Sequence, residues 1–139
     1  MGEPEFHDFL TSISDCFVKR DFEGWRNRIV FPFSLITSAG PVFVRNEQEA
    51  HENFELYLQA SDAMRLDCIY RTAISLENCN DGTWIGTYET NMLSNGVRAT
   101  APYTSSAMLV AVDGVFKMRS ILNARGHHDW TGKQPDTYH

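Results

Sequence analysis

The sequence predicts an α+β fold in which three N-terminal helices pack in the concave face of a strongly curled, mainly antiparallel sheet, a cone or half-barrel. Two observations carry this prediction. Apolar residues recur at helical spacing through much of the first half, and three Asx-Gly dipeptides, Asp81-Gly82, Asn95-Gly96 and Asp113-Gly114, punctuate the second half. Each dipeptide falls between runs rich in β-branched and aromatic residues, the strongest short-range hairpin signal, because Asn, Asp and Gly tolerate the positive φ of a type I′ turn. The turns cut the second half into strands of roughly 9–14 residues, against a usual mode of about 5–6. Strands that long twist and curl, so the meander bends around the helical half.

Element by element, Pro4 suits a first helical turn, and Phe6, Phe9, Leu10, Ile13 and Phe17 share a helical stripe, which places helix 1 over about 4–19. Asp21 caps a short helix 2 bearing Phe22, Trp25 and Ile29, and Pro32 is expected to end it. Phe33 to Thr37 and Val42 to Arg45 flank Ser38-Ala39-Gly40-Pro41 as a short hairpin. Asn46, with Glu49 three residues on, resembles a capping box for helix 3, whose stripe is Ala50, Phe54, Tyr57 and Leu58 and whose end falls near Ser61-Asp62. Four meander strands follow at about 64–78, 83–93, 103–112 and 115–125, with a loop or bulge before the third because Pro102 cannot donate to a ladder. Residues 4–126 form one domain, and 127–139 form an irregular tail.

Alternation assigns the faces. Leu66, Cys68, Tyr70, Thr72, Ile74 and Leu76 are expected inward on the first meander strand, with Arg71 outward. On the second, Trp84, Gly86, Tyr88, Thr90 and Met92 point inward and Glu89 outward. On the last, Phe116, Met118, Ser120 and Leu122 point inward and Arg119 outward. The third strand fits either facing. The rival face carries Ile69, Ile85, Leu109 and Ile121, more apolar residues than open solvent requires, and a homodimer interface is the simplest cover for it.

Composition narrows the function. The 139 residues carry a net charge of −6, and no Lys/Arg stripe exists to neutralise phosphates, which argues against a nucleic-acid partner. No apolar run approaches the roughly 20 residues of a membrane span, and the acidic N-terminus lacks a secretory h-region and a myristoylation signal. Cys68 and Cys79 stand eleven residues apart on one predicted strand, too far to pair, so the three cysteines are expected to be reduced and the address cytoplasmic. No dinucleotide fingerprint, P-loop or Gly-x-Ser-x-Gly elbow is present, and the cysteine and histidine spacings do not fit zinc, so neither cofactor nor metal is expected.

The layout resembles the nuclear transport factor 2-like superfamily, and within it the SnoaL-like group. Arg20-Asp21-Phe22-Glu23-Gly24-Trp25 and Asp113-Gly114-Val115-Phe116-Lys117-Met118 are local echoes, the second also similar to the small subunit of aromatic-ring-hydroxylating dioxygenases. The resemblance covers about 4–126 and implies a cone with an apolar pocket at its open end and a homodimer through the convex sheet face. Members that act as steroid isomerases place a base Asp just after helix 2 and pair a helix-1 Tyr with an acid on a long strand. This chain has no carboxylate in Phe31 to Thr37 and no Tyr on helix 1. Dehydratase-like members use a His–Asp pair with tyrosines.

A curled sheet is hard to fill completely with three helices, so a small apolar or aromatic ligand is expected. Phe9, Ile13, Trp25, Phe31, Phe54, Tyr70, Trp84, Tyr88 and Met118 are its candidate walls. Tyr70, Tyr88 and His127 are the candidate acid–base groups. His127-His128-Asp129-Trp130 is the most suggestive polar cluster, although in a strand only one of its histidines would face the pocket. His51 reads as solvated and Cys68 as a buried, inert thiol. A binding protein, a Tyr/His isomerase, cyclase or dehydratase, and a non-catalytic assembly subunit all fit these residues.

Overall fold

A computed structural model describes residues 1–122. Within them, three helices, α1 (Glu3–Val18), α2 (Phe22–Arg26) and α3 (Glu47–Met64), accompany seven strands: β1 (Ile29–Thr37), β2 (Gly40–Val44), β3 (Cys68–Asn78), β4 (Thr83–Ser94), β5 (Val97–Arg98), β6 (Tyr103–Val112) and β7 (Val115–Leu122). The sheet runs β2-β1-β7-β6-β4-β3, with β5 paired to β4. Among the described residues, β1 and β7 run parallel and every other pair is antiparallel. The sheet stays open, with β2 and β3 at its edges. The predicted tail, including His127, lies outside the described residues.

Local chemistry sets the helix ends. Glu5 Oε1 accepts from the Gly2 amide at 3.1 Å, and Asp21 Oδ1 accepts from the Gly24 amide at 3.0 Å. Asn46 Oδ1 accepts from the Glu49 amide at 2.9 Å. The Glu49 carboxylate reaches back one residue further than a standard capping box, to the Arg45 amide. Helix α3 runs past the predicted stop to Met64, and Arg65 closes it in the left-handed region at φ 55°.

Two turn signals give tight turns with both residues at positive φ, Asn95-Gly96 joining β4 to β5 and Asp113-Gly114 joining β6 to β7. The Asp81-Gly82 connection is wider. It is held by Asp81, whose carboxylate accepts from the Thr83 amide and hydroxyl.

Pro32 does not end a helix. Helix α2 stops at Arg26, and Pro32 sits inside β1 after a cis Phe31–Pro32 bond. The strand tolerates it because the ladder is interrupted there: pairing to β7 breaks between Ile29 and Ser34, and pairing to β2 begins at Phe33.

The larger correction concerns facing, and two one-residue bulges cause it. Near the β3–β4 turn Leu76 pairs with Gly86, but beyond Ile74 the register slips, so Ala73 meets Tyr88, Arg71 meets Thr90 and Ile69 meets Met92. An extra residue in one strand reverses its alternation from that point on. Ile69, Arg71 and Ala73 therefore turn inward, while Cys68, Tyr70, Thr72 and Ile74 turn out. The thiol of Cys68 is exposed; the buried cysteine is Cys16.

Strand β7 carries the second bulge. Leu109 pairs with Met118 and Met108 with Ser120, leaving Arg119 as the extra residue. Phe116, Met118 and Ile121 face the helices, and Ser120 and Leu122 face away. The ambiguous strand β6 resolves with Ser105, Ala107 and Leu109 buried. Three of the four residues that had marked a second packing surface thus belong to the inner one.

The core joins α1 (Phe6, Phe9, Leu10, Ile13), Trp25 and α3 (Ala50, Phe54, Leu58) to Phe33, Leu109 and Phe116 on the sheet. Gly86 allows close approach, since a Cβ there would stand 2.5 Å from the Phe6 ring. His51 is exposed, as expected, with its imidazole against Phe22.

Candidate functional site

Between the helices and the inner sheet face the core is incomplete, leaving a cavity of about 80 Å³. Ile13 and Phe17 reach it from α1, Trp25 from α2, and Asn53, Tyr57, Ser61 and Met64 from α3. The sheet supplies Phe33 and Leu35 from β1, Ile69 and Arg71 from β3, Tyr88, Thr90 and Met92 from β4, Tyr103 and Ser105 from β6, and Met118 and Ile121 from β7; Leu66 closes one side. At roughly 10–15 Å³ per water on this measure, the space suits a single ring with a short substituent. A second hollow, between α1 and the β6–β7 turn, is shallower and polar, with Asp15, Lys19, Asp21, Arg28 and Lys117 on its rim.

Of the predicted wall residues, Ile13, Trp25, Tyr88 and Met118 line the cavity. Phe9 and Phe54 are wholly in the core. Phe31 lies under the Arg26 guanidinium, 4.3 Å from its ring centroid, and Trp84 packs edge-on against Phe116 at 5.3 Å. Tyr70, expected inward, is 42% exposed on the outer face because of the Ile74 bulge.

The polar lining differs from the sequence expectation. Arg71 replaces Tyr70 on the inner face. Its Nη1 donates to Ser14 Oγ at 2.9 Å, and Ser14 in turn donates to the Leu10 carbonyl at 2.7 Å. The Arg71 Nε is buried with no hydrogen-bond partner, and no carboxylate among the described residues forms an ion pair with this guanidinium.

Asn53 is 1% exposed, and neither its Nδ2 nor its Oδ1 has a partner among the described residues. An unpaired buried amide costs about 1–3 kcal/mol, and most buried polar groups avoid that cost. The sequence did hold a signal for it. Ala50, Asn53, Phe54 and Tyr57 fall at i, i+3, i+4 and i+7, so Asn53 is a polar residue on an apolar stripe.

Tyr57, Tyr88 and Tyr103 complete the polar set. Burial pushes the Tyr88 phenol up to about 12, against the opposing pull of Arg71, and Tyr88 shares a side-chain hydrogen bond with Ser105. Burial likewise raises Tyr57 well above the ordinary tyrosine value, Tyr103 adding to the effect. Both phenols therefore hold their protons at neutral pH. Among the described residues, no Asp, Glu or His lines the cavity.

Solved structures share this arrangement of helices packed on a curled sheet. An NTF-2 like protein of unknown function from Shewanella oneidensis MR-1 superposes with a TM-score of 0.65 at 10% identity, covering 86% of this chain and 95% of that one. A domain of unknown function with a cystatin-like fold from Nostoc punctiforme gives 0.64 at 14% identity, covering 88% and 75%. Aln2 from a Streptomyces species gives 0.61 at 16% identity, covering 88% and 91%. The chain thus has the nuclear transport factor 2-like, cystatin-like fold; at these identities the likeness establishes the fold alone. No protein-family profile and no curated protein matches the sequence. None of the described helices is long and apolar enough to cross a membrane.

Proposed function

We propose that this protein binds a small apolar or aromatic molecule in the cavity between its helices and the concave sheet face. The observation that carries this is Asn53, a buried carboxamide with both ends unpaired at the edge of an apolar hollow. Ligand sites combine apolar walls with a few convergent polar groups in this way. Binding is favoured over acid–base catalysis because the described lining holds no group that accepts a proton near neutral pH.

Methionine methyls test the proposal. Met64, Met92 and Met118 line the cavity, whereas Met1 and Met108 are exposed elsewhere. With ¹³C-methyl-methionine protein, titration with toluene is expected to shift the first three resonances and leave the other two in place. Uniform shifts, or none with toluene or any other single-ring compound, would end the proposal.

A second copy of the chain is further proposed to cover the outer sheet face. Ile85 is half-buried there opposite exposed Met108, and Leu122 and Tyr70 are exposed elsewhere on the same face. Sedimentation equilibrium is expected to give twice the chain mass for the wild type and a monomer for Met108→Asp, which puts a charge into the apolar patch. A wild-type chain that stays monomeric at every concentration tested would rule the arrangement out.

A further inference from the structure

We infer that the ligand of this cavity is a singly charged, single-ring carboxylate whose anionic group is held by Arg71, with Asn53 as a second polar contact. This rests on the cavity being a binding site, and it adds the charge that the occupant must bring. Arg71 is a permanent cation on the wall of an apolar hollow. Its hydrogen-bonded side-chain partner, Ser14, is neutral and already donates its proton to Leu10, so it satisfies one N–H without offsetting the charge. A guanidinium offers five donors, and here the buried Nε has no acceptor among the described residues.

Arg71 is half-buried with its Nε fully enclosed, and stripping water from a cation is unfavourable unless an anion accompanies it. No carboxylate among the described residues supplies that anion, and a bound carboxylate can. The chemistry of the wall narrows its type. One cation matches one negative charge, whereas a phosphate dianion would call for more. The planar fork of a guanidinium fits a carboxylate through two parallel hydrogen bonds. Asn53 can donate through Nδ2 to the same group or accept through Oδ1 from a neighbouring hydroxyl. Trp25, Phe17 and Phe33 give the cavity aromatic walls, and the volume limits the occupant to one ring.

The experiment is isothermal titration calorimetry of the full chain with benzoate and with benzamide, which is nearly isosteric but neutral. Benzoate is expected to bind at least tenfold more tightly. Arg71→Gln should erase that difference, so that benzoate and benzamide bind alike, since charge-assisted hydrogen bonds are about twice as strong as neutral ones. Because Arg71→Gln also alters the contact with Ser14, Asn53→Asp provides an independent variant. Its carboxylate supplies an internal anion, so it should weaken benzoate at least tenfold more than it weakens benzamide.

Equal affinity of the wild type for benzoate and benzamide would overturn the inference while leaving the cavity a binding site for neutral rings. Benzoate binding that persists unchanged in both variants would also overturn it, by placing the anion elsewhere on the surface. If benzoate, benzamide and toluene all fail to bind, the cavity itself is not a ligand site and both conclusions fall.

Discussion

Phe54→Ala is expected to destabilise the protein by about 3–5 kcal/mol, the range for removing a fully buried phenylalanine ring. Phe54 is 1% exposed and lies at the centre of an aromatic cluster that ties the three helices together. Its ring stacks on Phe17 of α1 with centroids 5.0 Å apart, meets Phe22 edge-on at 5.7 Å, and lies 5.6 Å from Trp25. Truncation removes all three contacts at once, and the rings around it belong to different helices, so none can close the gap without shifting its own element. For a domain of this length the loss corresponds to a fall in Tm of roughly 10–20 °C. Calorimetry and urea unfolding at neutral pH provide the check. A loss below about 1 kcal/mol would show that Phe54 fills a site able to relax, as an empty ligand wall would, rather than a packed core.

That ring also illustrates how far the sequence could be read. Its helical stripe marked it as buried, and burial in the core looks the same in a sequence as burial against a ligand. Phe9 shares this ambiguity. The elements themselves were legible because their signals are local: Asn46 and Asp21 at the caps, Asn95-Gly96 and Asp113-Gly114 at the turns.

The faces of β3 and β7 were not legible, since alternation holds only until a residue is inserted into the ladder. Neither Ile74 nor Arg119 is a residue type that marks a bulge, so the strand looks continuous where its pairing slips. The clue lay in the apparent surplus of apolar residues on the outer face. Strict alternation misplaces Ile69 and Ile121 because each lies beyond a bulge from the segment that set the phase. The same slip exchanged Tyr70 for Arg71 on the cavity wall, and with it a neutral hydroxyl for a permanent charge. The polar character of the site therefore depended on one inserted residue.

Alkaline conditions are expected to unfold the chain through the cavity tyrosines. Tyr88 ionises near 10 when unfolded and near 12 when folded. Between those values the unfolded chain releases the phenol proton and the folded chain keeps it. The unfolded state then binds fewer protons, so stability falls as pH rises. The contribution is fully present below pH 10 and is lost by about pH 12; at ~1.4 kcal/mol per pKa unit it amounts to about 2–3 kcal/mol. Tyr57 shifts in the same direction for the same reason, burial, and adds to the loss. Urea unfolding at a series of pH values from about 8 to 12 should show a flat region followed by a fall. Tyr88→Phe should reduce the slope of that fall, because Phe has no proton to release. Absorbance at the phenolate band gives an independent readout. Tyr57 and Tyr88 should ionise together with loss of structure. If Tyr57 and Tyr88 titrate reversibly near pH 10 in the folded state, their phenols are not enclosed and the cavity is open to water.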